Sequence, residues 1–409
     1  MSHVTALRCR ECDNEYEIEP TNACELCFGP LEVSYDYDAI AKNISREKIR
    51  QGPATMWRYH DFLPVDPETA VDLGTGFTSL LKADNLGRRL GLDKLYIKND
   101  AANPTNSFKD RPVTVTASKA LEFEFDILAC PSTGNLMGSV AAHGAKAGMK
   151  TVVFYPADLE RGKIIQAAAY GPTLVAVDGT YDQINRLCSE LADNNRWAFV
   201  NINMRAFYAE GSKTLGHEVA EQLGWKAPDH CIVPGASGEL HTKIWKGLEE
   251  MAQVGLIDTP TTRMHLAQAE GCAPIVNAFE QGLNRVEPVR PDTIARSLAI
   301  GNPAAGHYAL QVLAKTGGTA DAVPEESIVE GVRLLAETEG IFTEPAGGVV
   351  ISGLRRLAER GVIGPDEVTV AFITGNGLKT QEVMEHAVDP VLSGPDYESF
   401  ETAFAGREL

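Results

Sequence analysis

Short apolar runs alternate with longer amphipathic stretches along most of the chain. The runs have the length and composition of buried strands and fall at residues 95–98, 127–130, 151–155, 174–177, 198–200, 230–233, 264–268 and 368–373. The stretches between them predict helices at residues 113–121, 138–147, 163–170, 181–192, 214–223 and 240–254. Strands that alternate with helices in this way indicate an α/β protein with doubly wound parallel sheets.

This pattern also suggests how the chain is divided into domains. We expect residues 126–204 to form a smaller α/β lobe, and residues 38–125 together with 205–409 to form a larger domain. Residues 1–37 precede the alternating pattern and would form a separate module. Because ligands of parallel sheets bind beyond the carboxyl ends of the strands, the turns that follow strands are the places to look for site residues.

The composition fits a soluble globular protein, with 44% hydrophobic and 23% charged residues among 409. The 37 basic and 56 acidic residues give a net charge of −19, which argues against nucleic acid as the main partner. No apolar run approaches the ~18 residues of a membrane span. Residues 1–10 lack the apolar stretch of a signal peptide, and we therefore expect a cytoplasmic protein without membrane contact.

Four of the eight cysteines form two Cys-x-x-Cys pairs near the start of the chain. Cys9 and Cys12 make the first pair, Cys24 and Cys27 the second, and four thiolates suit tetrahedral Zn²⁺. The spacing predicts a zinc ribbon, and a ribbon that folds without metal is the alternative. Since zinc ribbons also bind partners, an adaptor protein is a rival class of function. The remaining cysteines lie in apolar surroundings typical of a core.

A lysine occupies an unusual place in residues 103–111, between a predicted strand and a predicted helix. Ser107 can cap that helix, which places Lys109 in its first turn, where the partial positive charge of the helix end disfavours a cation. If the amine is also buried, its pKa falls below the usual ~10.4 and it becomes a nucleophile. The alternative is a surface lysine in a solvated cluster with Asp110 and Arg111.

Turns of small residues follow three of the predicted strands, at residues 132–135, 235–238 and 374–378. The second turn stands between a strand and a helix, where backbone N–H groups can approach a phosphate closely. It has neither the glycine–lysine pair of a P-loop nor the glycine spacing of the dinucleotide fingerprint. A phosphate cradle and a tight structural turn are therefore both open at this point.

The residues around Lys109 resemble those of a known family. Asn-Pro-Thr-x-Ser-Phe-Lys-Asp-Arg at 103–111 is similar to the lysine motif of the threonine synthases, within the fold type II pyridoxal phosphate enzymes. The resemblance extends over nearly the whole chain and includes the cysteine ribbon and the motifs at 132–135, 210–214, 344–346 and 374–379. It implies a two-domain, tryptophan synthase β-like fold with an N-terminal zinc ribbon, in which the larger domain binds pyridoxal phosphate.

The resemblance implies the residues that contact the cofactor. Lys109 would form the Schiff base and act as general acid and base, and Asn135 would contact the ring hydroxyl. Thr374 would form a hydrogen bond at the pyridine nitrogen, which favours elimination and replacement chemistry over transamination. The phosphate would be held by Gly235, Ala236, Ser237 and Gly238.

The resemblance also implies the residues that contact the substrate. Its carboxylate would bind the backbone amides of Ser132, Thr133, Gly134 and Asn135. Candidates for its phosphate are Arg111, Arg205 and Lys213, with structural ion pairs as the alternative. Asn106 and Pro112 stand where many members have glycine, and residues 235–238 lack the asparagine of many relatives, so the substrate preference could differ.

The implied reaction converts O-phospho-L-homoserine and water into L-threonine and phosphate, a γ-elimination followed by β-addition of water. The rival within the fold is a related lyase such as cysteate synthase or threonine dehydratase. The rival from another class is a zinc-ribbon adaptor with an inactive enzyme body. The expected partners are a small phosphorylated amino acid and a second copy of the chain in a homodimer.

Overall fold

Three sheets organise the part of the chain that the structure, a computed structural model, describes, namely residues 3–21 and 23–405. Their strands are β1 (Val4–Cys9), β2 (Glu15–Tyr16), β3 (Leu31–Tyr35), β4 (Leu80–Lys82), β5 (Leu95–Asn99), β6 (Ile127–Pro131), β7 (Lys150–Pro156), β8 (Thr173–Val177), β9 (Ala198–Phe199), β10 (His230–Pro234), β11 (Arg263–Ala269), β12 (Ala320–Val323) and β13 (Thr369–Ile373). The α-helices are α1 (Tyr37–Asn43), α2 (Arg46–Arg50), α3 (Asp84–Leu90), α4 (Asp110–Glu122), α5 (Asn135–Ala147), α6 (Arg161–Ala168), α7 (Tyr181–Asn194), α8 (Arg205–Ser212), α9 (Thr214–Gln222), α10 (Glu239–Gln253), α11 (Pro274–Glu280), α12 (Gly306–Thr316), α13 (Glu325–Glu339), α14 (Pro345–Glu359) and α15 (Tyr397–Phe404).

The largest sheet has six strands in the order β12-β11-β10-β13-β5-β4. Neighbouring strands are parallel except β4 and β5, which are antiparallel. The chain adds β11 and β12 on one side of β10 and later places β13 on its other side. This reversal creates a topological switch point, the part of an open α/β sheet where ligands bind.

Alternate residues of the central strands enter two different cores. Cys231 and Val233 of β10 pack in the same core as α10, whereas Ile232 packs in the same core as α14. The residues of β13 alternate between the same two cores. Helices therefore cover both faces of the sheet, and a strand buried on both faces reads as a continuous apolar run.

The second sheet is wholly parallel, with the order β8-β7-β6-β9. Its strands lie inside the range expected for the smaller lobe. The domain boundaries at residues 37, 125 and 204 stay predictions, and residues 1, 2, 22 and 406–409 of the predicted terminal domains lie outside the described residues. Among the described residues, no helix combines the length and apolar character needed to cross a membrane.

The third sheet is small and antiparallel, with β1 paired to both β2 and β3. We call residues 3–35 the cysteine ribbon. It is joined to the rest of the protein by buried polar contacts, since the Tyr35 hydroxyl donates to Glu210 Oε2 at 2.9 Å and Lys243 binds both Glu210 and Glu32. The cysteine ribbon is thus packed against α8 and α10 of the main body.

Candidate active site

The carboxyl ends of β6, β10 and β13 open into one cavity of about 360 Å³, to which the six-stranded and the four-stranded sheet both contribute. Its volume lies in the range of small-molecule sites. The predicted site residues that line it are Lys109, Ser132, Thr133, Asn135, Arg205, Ala236, Ser237, Gly238 and Thr374. We call residues 103–109, which end at Lys109, the lysine turn. The structure therefore brings the lysine turn and all three small-residue turns to one place.

Lys109 immediately precedes α4, which begins at Asp110. The prediction that it lies in the first helical turn is thus wrong by one residue. Ser107 Oγ accepts a hydrogen bond from the Lys109 amide at 3.3 Å, but Lys109 itself is the N-cap residue. The Lys109 Nζ atom lies 4.4 Å from the ring centre of Phe108 and 5.8 Å from that of Tyr208. Burial lowers the pKa of Lys109 to about 8, against the opposing influence of Glu344 and Glu239. About a tenth of this amine is uncharged at pH 7, far more than for a lysine with the usual pKa of ~10.4.

The lysine turn is fixed from two directions. Phe108 N donates to the carbonyl of Thr374 at 3.0 Å, and Ser107 forms a β-bridge with Gly375. The Asp110 carboxylate accepts hydrogen bonds from Thr105 N at 2.7 Å, Thr105 Oγ1 at 2.6 Å and Ser139 Oγ at 2.6 Å. The position of the Lys109 backbone is therefore fixed by the end of β13 on one side and by Ser139 of α5, through Asp110, on the other.

Two departures from the family motif have local structural reasons. Asn106 has a φ of +58°, a left-handed conformation that asparagine tolerates better than other non-glycine residues. Pro112 is the third residue of α4, where the missing N–H would have no partner within the helix. Neither residue lines the cavity.

We expect Asn106→Val to destabilise the protein by about 1–2 kcal/mol, because a β-branched residue is strained at this φ. The free energy of unfolding, measured by urea denaturation, checks this. Asn106→Gly is the matched control, and its free energy of unfolding should be no more than about 0.5 kcal/mol below that of the parent. Equal stability of the valine and glycine variants would contradict the left-handed backbone.

The turn after β6 is organised by its first residue. Ser132 Oγ accepts hydrogen bonds from Gly134 N at 2.9 Å and Met137 N at 3.0 Å, and Ser132 N donates to Phe154 O at 2.9 Å. The amides of Ser132 and Gly134 are therefore occupied. Among the described residues, the amides of Thr133 and Asn135 have no partner, which narrows the predicted carboxylate site to these two.

The Asn135 side chain is held at both ends. Its Nδ2 atom donates to both carboxylate oxygens of Glu344, at 2.9 and 2.8 Å, and its Oδ1 atom accepts from Lys379 Nζ at 3.1 Å. Burial lowers the pKa of Lys379 to about 8, although Glu344 and Asp110 act in the opposite direction. The orientation of the amide is thus fixed by two residues to which no role was assigned from the sequence. Their only sequence signal was their place in the motifs at 344–346 and 374–379.

The turn after β10 presents backbone N–H groups at the start of α10, a helix of 15 residues. Within the described chain, no partner is found for the amides of Ala236, Ser237 and Gly238. Gly235 N instead donates to Ala267 O at 2.7 Å, so its assignment to the cradle is corrected. A Cβ atom at Gly235 would lie 2.5 Å from Leu266, so this glycine allows close packing. Three free amides at a helix N-terminus suit a phosphate.

The Thr374 side chain completes the site on the β13 side. Thr374 is 3% exposed and lines the cavity, and its hydroxyl has no hydrogen-bond partner in the described part of the chain. A buried hydroxyl without a protein partner is available to a polar atom of a ligand.

Arg205 is the predicted phosphate ligand that reaches the cavity. Its Nη2 atom lies 3.1 Å from Glu239 Oε2, and Glu239 also lines the cavity. Burial by itself would raise the pKa of Glu239, but Arg205, Lys243 and Arg10 lower it below its usual value. This rim of the cavity therefore carries a charged carboxylate beside a guanidinium.

Arg111 and Lys213 do not line the cavity, so their assignment to the substrate phosphate is corrected. Arg111 is fully buried and forms ion pairs with Asp100 at 2.7 Å and Glu218 at 2.5 Å. Lys213 is fully buried between Glu210 at 2.6 Å and Glu250 at 2.8 Å. Each cation is paired with two buried carboxylates away from the cavity, so both residues have a structural role in the ion pairs.

The four N-terminal cysteines form one cluster in the cysteine ribbon. Their Sγ atoms all lie within 4.8 Å of one another, with Cys9 and Cys27 at 3.4 Å and Cys12 and Cys24 at 3.6 Å. Tetrahedral Zn²⁺ with bonds of about 2.3 Å separates its sulfurs by about 3.8 Å. The donor set and its spacing are compatible with a metal ion such as Zn²⁺. The other four cysteines are buried and free.

The fold and the cavity define a fold type II enzyme, and comparison with known proteins gives the family. The model of the pyridoxal-phosphate dependent enzyme family matches residues 71–375, and the chain belongs to this family. Solved structures with this fold include diaminopropionate ammonia lyase from Escherichia coli, with a TM-score of 0.66 and 18% identity over 77% of this chain and 88% of that one. Threonine deaminase isoform 2 from Solanum lycopersicum has a TM-score of 0.63 and 23% identity over 76% and 83% of the two chains.

Within this family the chain is a member of the threonine synthases. It is 41% identical to the threonine synthase of Methanocaldococcus jannaschii over 91% of this chain and 92% of the relative. It is 38% identical to that of Methanosarcina acetivorans, over 98% and 99%. It is 35% identical to that of Halalkalibacterium halodurans, over 85% and 97%.

Proposed function

We propose that this threonine synthase converts O-phospho-L-homoserine and water into L-threonine and inorganic phosphate. One observation carries the proposal. A single cavity is lined by Lys109, whose pKa is lowered, by the free amides of residues 236–238 and by the guanidinium of Arg205. An amine, an anion cradle and a second cation are the groups that a cofactor phosphate and a phosphorylated amino acid would need.

The residues around the cavity fit pyridoxal phosphate. For its aldehyde, Lys109 supplies an amine that has no ion-pair partner among the described residues, and the amides of residues 236–238 supply donors for its phosphate. Thr374 supplies a hydroxyl for the pyridine nitrogen, and Asn135 lines the same cavity. When bound, the cofactor supplies an aldehyde for covalent capture of amines and an electron sink for carbanions.

Lys109 would carry the protons of the reaction. An amine with a pKa of about 8 is partly neutral at physiological pH, so it can accept the α proton of the substrate and later return a proton. Loss of a β proton expels phosphate from the γ carbon, the γ carbon then gains a proton, and water adds its hydroxyl at the β carbon. The four carbons and the nitrogen of the substrate are retained in threonine; one water is consumed, and its remaining proton leaves with the released phosphate.

The ends of the substrate would bind on opposite rims of the cavity. The free amides of Thr133 and Asn135 can accept the carboxylate at the start of α5, where the helix end favours an anion. Arg205 can bind the phosphate on the α10 side, because a guanidinium presents several donors to phosphate oxygens.

The pKa of Lys109 gives a pH dependence that can be measured. We expect the rate at which the apoprotein covalently captures pyridoxal phosphate to rise about tenfold per pH unit below pH 8, because only the neutral amine attacks, and to level off above it. Stopped-flow absorbance measures this rate. A rate that keeps rising towards pH 10 would show an ordinary, solvated lysine.

Three substrates separate the proposed reaction from its rivals. The holoenzyme is given phosphohomoserine, phosphoserine and threonine in turn, and phosphate and keto acid are assayed. Phosphate and threonine from phosphohomoserine support the proposal, whereas keto acid from threonine without phosphate release from phosphohomoserine supports a dehydratase. A protein that stays colourless after cofactor addition supports the adaptor. The homodimer and the cytoplasmic location stay predictions, and light scattering of the purified protein tests the first.

A further inference from the structure

One side chain of the cysteine ribbon extends towards the active-site cavity. Arg10 lies between Cys9 and Cys12, and its backbone N–H donates to Pro30 O at 3.1 Å within the cysteine ribbon. Its guanidinium carbon stands 3.6 Å from the ring centre of Tyr308 on α12. The Tyr308 hydroxyl donates to the neighbouring Glu11, so two consecutive residues of the cysteine ribbon hold this ring. The direction of Arg10 is therefore fixed by contacts with both the cysteine ribbon and the main body.

Arg10 and Arg205 face the same carboxylate from two sides. Glu239 Oε1 lies 4.0 Å from Arg10 Nη1, while Glu239 Oε2 lies 3.1 Å from Arg205 Nη2. The side chains of Arg10, Glu239 and Arg205 are 21%, 15% and 28% exposed, so solvent screens their charges only in part. Lys243 is the other cation near Glu239, but its Nζ atom is engaged with Glu210 and Glu32.

The row Arg10–Glu239–Arg205 crosses the border between the cysteine ribbon and the active site. Arg205 and Glu239 line the large cavity, whereas Arg10 does not. All three line a small adjoining cavity of about 20 Å³. Arg10 therefore does not contact a ligand in the large cavity, and Glu239, which pairs with both Arg10 and Arg205, is the residue that links it to the site.

We propose that Arg10 is a positioning residue that keeps Arg205 available for the phosphate of the substrate, an inference that rests on the proposed function. With Arg10 present, the charge of Glu239 is shared between two guanidinium groups. Without Arg10, the whole carboxylate charge acts on Arg205, holds its donors and cancels part of its positive potential in the cavity. The cysteine ribbon thereby sets the affinity of the site for a phosphorylated substrate.

The test compares Arg10→Gln with Arg8→Gln in the holoenzyme. Arg8 lies two residues earlier in the cysteine ribbon, on β1, but pairs with Asp13 on the surface, where the two side chains are 51% and 73% exposed. We expect Arg10→Gln to raise the KM for phosphohomoserine about three- to tenfold, with kcat and the melting temperature close to the parent values. Arg8→Gln should leave KM, kcat and melting temperature unchanged.

Two further variants distinguish positioning from simple docking of the cysteine ribbon. Arg10→Lys retains the charge and should have a KM below that of Arg10→Gln and close to that of the parent. In a Glu239→Gln background, Arg10→Gln should have no further effect on KM, because the carboxylate through which it acts is gone. An effect confined to kcat or the melting temperature, or an effect of undiminished size in the Glu239→Gln background, would overturn the proposal.

Binding of inorganic phosphate separates failure of this inference from failure of the proposed function. In the holoenzyme the cradle at residues 236–238 is filled by the cofactor, so calorimetry reports the second phosphate site. Weaker phosphate binding by Arg10→Gln than by Arg8→Gln supports the inference even if phosphohomoserine is not turned over. Equal phosphate binding by the two variants overturns it, whatever the parent enzyme catalyses.

Discussion

Replacement of Lys109 by alanine should lower phosphate release from phosphohomoserine about 10⁴-fold or more. The variant loses both the amine that captures the cofactor aldehyde and the base that moves the α proton, and each function alone contributes orders of magnitude. A coupled phosphate assay measures the rate, and the visible absorbance of the covalently bound cofactor should disappear in the same variant.

Lys315→Ala is the matched control for this experiment. Lys315 is 61% exposed and pairs with Glu249 on the surface, so its loss removes a lysine without altering the cavity. It should retain the absorbance and the rate of the parent. A Lys109→Ala protein that keeps the absorbance band and turns over would place the chemistry at a different amine, and Lys379 would be the first to examine.

Replacement of Arg111 by alanine should destabilise the protein by about 3–5 kcal/mol. Its guanidinium is fully buried and neutralises Asp100 and Glu218, and removal of one partner from a buried ion pair leaves the others without compensation. Lys98, which donates to Glu218 at 2.6 Å, compensates only part of this charge. Urea denaturation of the holoprotein measures the change in the free energy of unfolding.

Arg285→Ala provides the comparison for Arg111. Arg285 and Glu287 form a pair whose side chains are 79% and 70% exposed, and its loss should change stability by less than about 0.5 kcal/mol. If Arg111→Ala instead left stability unchanged and raised the KM for phosphohomoserine, the original assignment of this residue to the substrate phosphate would be restored.

The parallel strands were predictable because the sheet buries them on both faces. All five residues of β10 and of β13 are buried, and the sequence accordingly shows continuous apolar runs at both places. The edge strand β12 escaped prediction because it contains Asp321, whose carboxylate is paired with Arg356 at 2.7 Å and Arg360 at 3.0 Å. Arg356 lies on α14 and Arg360 directly follows that helix, so the sequence of β12 itself gives no sign of these two partners.

Helix α14 escaped prediction for a different reason. It contains Gly347 and Gly348 in its first turn, and glycine lowers helix propensity. A Cβ atom at Gly348 would lie 2.2 Å from Ile328 O of α13, so the residue that weakens the local signal allows two helices to pack closely. Tertiary packing outweighs local propensity here.

The position of the site was predictable from the ends of the strands, but the ion-pair partners of its charged residues were not. For Arg111, Arg205 and Lys213, no local pattern in the sequence shows which of them meets buried carboxylates. Arg111 is neutralised by Glu218, which is 107 residues away along the chain. Likewise Asn135 is oriented by Glu344 across 209 residues. Such partners become visible only when the fold brings distant segments together.

The central position of β13 has a consequence for biosynthesis of the protein. Thr369–Ile373 separates β5 from β10, which otherwise have no strand neighbour on those edges. During translation, about the first nine-tenths of the chain therefore emerges from the ribosome with a gap in its main sheet. Vitamin B6 capture must await the last tenth of the polypeptide, because only then do the amine and its anion cradle become neighbours.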